Sequence, residues 1–194
     1  MADEEAERER LARLNKVYLA IISRYKEYIE EKENISVAEL PTLITPKNSA
    51  VSAKVEEIKS SLQEYSYDKD FQAAAKKAFD FVKDNVEDVV LPLQFWLVPE
   101  ETLAFMMGDS FDKNVLLCSL LVGLGNPSSK VVVVIRGDAR QTLVSYEANG
   151  KLYLVDLESG IREVGSHDDL VKHLNIDDEV VAYEFNDRAY VDIS

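Results

Sequence analysis

The sequence is poor in the residues that build disulfides, metal sites and acid–base catalysts. A single cysteine, Cys118, excludes an internal disulfide and any metal site made of several cysteines. The two histidines, His167 and His173, are the only imidazoles available as general bases. No apolar run approaches the roughly 20 residues of a membrane helix, and the acidic N-terminus lacks the apolar core of a signal peptide. We therefore expect a cytoplasmic protein.

Basic residues are also scarce compared with acidic ones. The 194 residues include 36 acids and 22 bases, which gives a formal net charge of -14. This charge repels phosphate backbones, so we expect no nucleic-acid partner, and it disfavours anionic membrane surfaces in the same way. A basic protein partner or a neutral small substrate stays open. Because 46% of the residues are hydrophobic, the chain can bury the core of an ordinary domain.

The first part of the chain has the apolar period of one long helix over residues 5–33. Spacings of three and four alternate along one face, through Leu11, Leu14, Tyr18, Ile21, Tyr25 and Tyr28. Such a face either packs on the helix's own domain or forms a coiled-coil arm that binds a protein partner or a second copy. Pro41 and Pro46 interrupt the helical pattern. We therefore predict an N-terminal helix and connector over 1–45 and a second domain over 46–194.

The rest of the chain changes from a helical period to a strand period. Helices are predicted near 51–62, 70–89, 99–108 (with Gly108 as its C-cap) and 110–124, and a small one near 166–174. The period of the second of these predicts a buried face of Phe71, Ala74, Ala75, Ala78, Phe79, Val82 and Val86. Strands are predicted at 130–135, 142–148, 151–157, 161–164, 179–185 and 190–193. Asn149-Gly150 is a strong hairpin signal between two of them. Helices followed by an antiparallel sheet indicate an α+β fold.

A known family has the same order of motifs between residues 99 and 157. A proline-led helix leads to Gly-Asp-X, an Asp two residues later and an apolar helix, and a strand, a hairpin and a strand-ending Asp follow. This order resembles the transglutaminase-like core, which is related to the papain-type cysteine proteases. The residues that carry the resemblance are Gly108, Asp109, Asp112, Leu116, Leu117, Gly150, Lys151 and Asp156.

The resemblance implies where a catalytic triad would lie, and two of its three groups are replaced. Ser110 stands at the position of the nucleophilic Cys, and Gln141, or Thr142 with a hairpin one residue shorter, stands at the position of the His. Asp156 matches the third member. Neither Gln nor Thr is a base, and a serine hydroxyl is a poor nucleophile without one. We therefore expect a catalytically inactive member, without cofactor or metal, that acts in binding or assembly.

Alternatives to this interpretation stay open. A hydrolase or acyltransferase with a rewired site at Ser110 and Asp156 is the alternative function, and a Ser that replaces a natural Cys at position 110 is another possibility. Ser110 as a plain helix N-cap needs no function at all. Cys118 is expected to be a small buried hydrophobe. Gln94 either donates to an oxyanion or bonds the backbone.

Two further groups of residues carry little chemistry in the sequence. Asp109, Asp112 and Asp138 form a potential carboxylate cluster, but they lack the spacing of a calcium loop. His167 and His173 fall in the small predicted helix, where we expect both at the surface. The sequence therefore predicts no metal site and no imidazole at Ser110.

Overall fold

The computed structural model describes residues 2–32, 35–90, 92–93, 95–177 and 179–193. The chain divides into two compact units. The first consists of residues 1–35 and 90–96, and the second of residues 36–89 and 97–194. Helix α1 belongs to the first unit, and every other helix and strand named below belongs to the second. Within the described ranges, no helix combines the length and apolar character that crossing a bilayer requires.

The helices are α1 (Ala2–Lys32), α2 (Ser49–Ser60), α3 (Tyr67–Asn85), α4 (Pro99–Phe105), α5 (Ser110–Gly123) and α6 (His167–His173). A turn of 3-10 helix, Leu40–Leu43, precedes α2. The strands are β1 (Glu87–Asp88), β2 (Met107–Gly108), β3 (Lys130–Arg136), β4 (Ala139–Ala148), β5 (Lys151–Asp156), β6 (Gly160–Gly165), β7 (Val181–Phe185) and β8 (Tyr190–Asp192). The α+β fold predicted from the sequence is confirmed.

The main sheet has the strand order β6-β5-β4-β3-β7-β8, and every neighbouring pair in it is antiparallel. Its register decides which residues face which helices, because successive side chains point to opposite faces. On one face, Phe185 stacks on Phe111 of α5, and Tyr146 meets Phe71 of α3 edge to face. On the other face, apolar residues of β3 and β4 pack with Leu170 and Leu174 of α6. We call these the α5 face and the α6 face.

The buried face of α3 is the one that its period predicts. Phe71, Ala74, Ala75, Ala78, Phe79, Val82 and Val86 are all buried. The helix itself spans Tyr67–Asn85, so it begins and ends several residues before the predicted bounds. Val86 is buried as extended chain rather than as helix, and the short parallel pair of β1 with β2 follows at once.

The predicted role of Gly108 is wrong. Helix α4 ends at Phe105, and Met106 adopts the left-handed conformation at its C-cap, with a φ of 52°. Gly108 lies in β2, paired with Asp88. A Cβ on Gly108 would lie 2.9 Å from the Cβ of Asp112. A glycine is therefore required here for close approach of the backbone to α5, and not for a helix end.

Candidate active site at the start of helix α5

Helix α5 begins at the motif that carries the family resemblance. Asp109 is its N-cap, and Asp109 Oδ1 accepts hydrogen bonds from the backbone N–H groups of Phe111 (2.7 Å) and Asp112 (2.9 Å). Ser110 is the first helical residue and is exposed. The interpretation of Ser110 as the N-cap is therefore wrong, because Asp109 occupies the N-cap position and Ser110 is the first helical residue after it.

Asp112 lies beneath this cap and is 1% exposed. Asp112 Oδ2 accepts from the Asp109 N–H at 3.0 Å, and Asp112 Oδ1 accepts from the Leu97 N–H at 3.0 Å. Burial, and next the charge of Asp109, raise the pKa of Asp112 to about 7. The side chain therefore exchanges a proton near neutral pH while it ties the chain before α4 to the first turn of α5.

Two cations accompany these carboxylates. A terminal nitrogen of Arg140, on β4, lies 3.4 Å from Asp109 Oδ2, and its guanidinium lies 5.2 Å from the centroid of the Phe111 ring. Lys113 is 3% exposed, and its Nζ lies 3.0 Å from Asp88 Oδ1. Lys113 follows Ser110 by three residues, which places the two on neighbouring positions of the helix surface.

Asn114 joins Ser110 to the strand that carries the expected histidine position. Asn114 Nδ2 donates to the backbone carbonyls of Ser110 (2.7 Å) and Thr142 (3.1 Å). Thr142 pairs with Val133 across β3 and lies on the α5 face, buried, whereas Gln141 pairs with Val134 and is exposed on the α6 face. The structure therefore brings the backbones of Ser110 and Thr142 together and turns the Gln141 side chain away.

Two buried side-chain atoms of Asn114 and Thr142 have no hydrogen-bond partner among the described residues. They are Asn114 Oδ1 and Thr142 Oγ1. Buried polar atoms without a protein partner commonly bind an ordered water molecule. Of the two positions predicted for the histidine, Thr142 is therefore buried on the α5 face, and Gln141 is exposed on the other face.

Asp156 is bound to its own turn. Val155 pairs with Val144 on the α5 face, so the alternation of β5 directs Asp156 to the opposite face. Asp156 Oδ1 accepts from the backbone N–H groups of Glu158 (2.8 Å) and Ser159 (3.3 Å). The structure thus uses Asp156 to close the turn between β5 and β6, and the register does not direct it toward Ser110.

Both histidines belong to α6 and to the other side of the sheet. His167 Nε2 lies 3.5 Å from Glu184 Oε2, and Glu184 also pairs with Lys130. His173 Nε2 lies 2.7 Å from a guanidinium nitrogen of Arg162 on β6. Since α6 packs on the face opposite to α5, neither imidazole shares the face of the sheet on which Ser110 lies.

The remaining candidates add no chemistry at this helix end. Cys118 is fully buried, and burial raises the pKa of its thiol, so it is a small buried hydrophobe as expected. Gln94, the potential oxyanion donor, lies outside the described residues. Asp138 is exposed in the turn between β3 and β4. In the part of the chain that the structure describes, no three acids, histidines or cysteines are grouped to hold a metal ion.

Sequence reasoning missed Lys113, Asn114 and Arg140. Asn114 carries a signal, because it directly precedes the apolar residues 115–118 of the predicted helix, and a polar side chain buried there needs a hydrogen-bond partner. Lys113 carries the same kind of signal for an ion pair. Arg140 carries none, since its neighbours Asp109 and Phe111 depend on the register of β4 against α5.

Solved structures have a similar fold, although comparisons of the sequence alone find no match. No protein-family model matches the sequence, and no curated protein matches it. LapG of Legionella pneumophila is 17% identical, with a TM-score of 0.54 over 82% of this chain and 88% of LapG. Its calcium-bound and EGTA-treated structures are each 14% identical with a TM-score of 0.53, and they cover 82% of this chain and 88% and 87% of LapG. LapG has the transglutaminase-like, papain-like cysteine protease fold. The chain described here therefore has the transglutaminase-like α+β fold.

Proposed function

We propose that this protein is a catalytically inactive transglutaminase-like domain that acts in the cytoplasm through binding or assembly. The observation that carries the proposal is the separation of Ser110 from both imidazoles of the chain, which lie on the α6 face of the sheet. Nucleophilic serines need an adjacent base that takes the hydroxyl proton. The residues at the two predicted histidine positions are Gln141 and Thr142, and neither an amide nor a hydroxyl side chain can accept the proton of the serine hydroxyl.

The charged groups around Ser110 do not replace the missing histidine. Lys113 donates to Asp88, with its Nζ 3.0 Å from Asp88 Oδ1. Both carboxyl oxygens of Asp112 accept hydrogen bonds from backbone N–H groups. The guanidinium of Arg140 stays charged at any relevant pH. The first turn of α5 is therefore well supplied with structural hydrogen bonds, and Asp112, whose pKa lies near 7, has both of its carboxyl oxygens engaged in them.

The alternative function is a hydrolase or acyltransferase that uses Ser110 and Asp156. One observation favours it, namely the exposure of Ser110 at the start of a helix, where nucleophiles commonly lie. The hydrogen bonds of Asp156 to its own turn weigh against it. We therefore place binding or assembly first, with the long helix α1 as the segment that contacts a protein partner.

Turnover of acyl reporters separates the two functions. The wild-type protein is incubated with nitrophenyl esters and with a glutamine-containing peptide plus an amine, beside the variants Ser110→Ala and Ser49→Ala. Ser49 is a matched control, because it is also an exposed first residue of a helix. We expect all three proteins to give the uncatalysed rate. Turnover that is lost in Ser110→Ala and kept in Ser49→Ala would establish the alternative.

A further inference from the structure

Helix α1 exposes a long apolar face. Its residues are between 39% and 62% exposed, and they are Leu11, Leu14, Tyr18, Ile21, Tyr25 and Tyr28. We call these six residues the α1 seam. Their spacings alternate between three and four, which is the pattern of helices that pair side by side. Exposed contiguous apolar surface of this kind marks a site of interaction with another molecule.

Self-pairing in the antiparallel direction matches the seam to itself. When the crossing point lies midway between Tyr18 and Ile21, Tyr18 faces Ile21 of a second copy. Leu14 then faces Tyr25, and Leu11 faces Tyr28, so each layer combines two apolar side chains. The matched stretch of 18 residues is about 27 Å long at 1.5 Å per residue.

The charged residues beside the α1 seam also favour antiparallel pairing. Arg10 and Glu31 flank its two ends, and antiparallel pairing sets Arg10 of each copy beside Glu31 of the other, twice by symmetry. Parallel pairing would instead set Glu7, one heptad before Leu14, against its own copy. Like charges in that position oppose association. The pattern of charge thus complements a second copy of α1 in one direction only.

Four bases in the middle of α1 do not oppose this pairing. Arg13, Lys16 and Lys26 lie away from the seam, where water screens them. Arg24, which flanks the seam, would lie beside Val17 of the second copy and so meets no like charge. The basic middle of the helix is therefore compatible with a dimer, although it also suits an anionic lipid surface.

We propose that α1 forms an antiparallel two-helix interface with α1 of a second copy through the α1 seam. This inference rests on the proposed role of α1 in binding or assembly and names its partner. Because the seam is shorter than three heptads, the pairing is concentration-dependent rather than permanent.

Sedimentation equilibrium of the full chain over a wide range of concentrations tests the pairing. We expect the mass to rise from 21.9 kDa toward twice that value. Ile21→Asp places a charge in the central layer and is expected to abolish the dimer. Ser23→Asp, on the opposite side of the helix, is the matched control and is expected to keep it. Circular dichroism and the melting temperature of each variant confirm that it is folded.

A charge exchange tests the direction. Arg10→Glu and Glu31→Arg each bring like charges together twice, so each is expected to raise the dissociation constant roughly 2- to 30-fold. The double variant restores opposite charges and is expected to recover the wild-type constant. Equal constants for all four proteins would overturn the antiparallel arrangement.

Two outcomes would overturn the dimer itself. One is a monomer at every concentration, and the other is a monomer that co-sediments with vesicles containing phosphatidylserine, since the seam would then bind lipid. Neither outcome bears on acyl turnover at Ser110. An active enzyme that still dimerises through α1 would overturn the proposed inactivity and leave the α1 interface intact.

Discussion

Asp109 and Asp112 cap the start of α5 reciprocally. Asp109 Oδ1 accepts from the backbone N–H of Asp112 at 2.9 Å, and Asp112 Oδ2 accepts from the N–H of Asp109 at 3.0 Å. The positive end of the helix therefore acts on a carboxylate of the chain itself. A helix start of this kind holds its first turn firmly, whether or not the residue after the cap reacts.

The proton on Asp112 makes stability depend on pH. The pKa of Asp112 is raised to about 7 in the folded protein, against about 3.9 in an unfolded chain. Between these values the folded protein keeps a proton that the unfolded chain has released. Its contribution to stability is therefore complete below pH ~4 and is lost as the pH rises through ~7. The slope for one proton is at most about 1.4 kcal/mol per pH unit.

Urea unfolding across this pH range isolates the effect. The free energy of unfolding of Asp112→Asn should fall less steeply with pH than that of the wild type, because Asn does not titrate. Asp68→Asn, an exposed acid in the first turn of α3, should keep the wild-type slope. If Asp112→Asn has that slope too, the proton is held elsewhere.

The ion pair of Lys113 and Asp88 ties β1 to α5. Asp88→Ala should lower the free energy of unfolding by about 1–3 kcal/mol, since it leaves a buried ammonium without its carboxylate. Adding Lys113→Met should recover most of this loss, because an apolar side chain suits the buried position. Glu163→Ala, which breaks an exposed pair with Lys151, should cost under about 1 kcal/mol. A double variant no more stable than Asp88→Ala would contradict this account.

Asn114 holds the two ends of the candidate site together. Asn114→Ala removes the hydrogen bonds to the Ser110 and Thr142 carbonyls and should cost about 2 kcal/mol of unfolding free energy. Asn85→Ala is the control, because Asn85 bonds the Phe81 carbonyl in an exposed position, and its cost should stay near zero. Equal losses would show that the link through Asn114 contributes no stability of its own.

Local signals predicted much of the fold. The period of α3 identified its buried residues, and Asn149-Gly150 forms a tight turn with φ angles of 52° and 71°. The predicted start of α3 is three residues too late, because Ser66 is the N-cap and its N–H donates to Asp70, so that residues 67–69 are already helical. The left-handed Met106 at the end of α4 was missed because glycine is the usual residue in that conformation.

The candidate site was harder to predict than the fold. The motif around Ser110 located the start of α5, since caps and helix periods are local. The register of the strands places Gln141 and Asp156 on the α6 face of the sheet. A shift of one residue in the register would exchange the two faces, and local sequence does not fix the register. The contacts of Arg140 and Asn114 join segments about 30 residues apart. Such contacts are fixed by the packed fold rather than by local sequence.

Covalent labelling tests the central claim most directly. The folded protein is treated with a fluorophosphonate, which reacts with activated serines, and labelled peptides are identified by mass spectrometry beside a Ser110→Ala control. We predict no label on Ser110 above the level of the unfolded protein, because the hydroxyl is exposed but has no base. Stoichiometric labelling of Ser110 in the folded wild type would contradict the proposed inactivity.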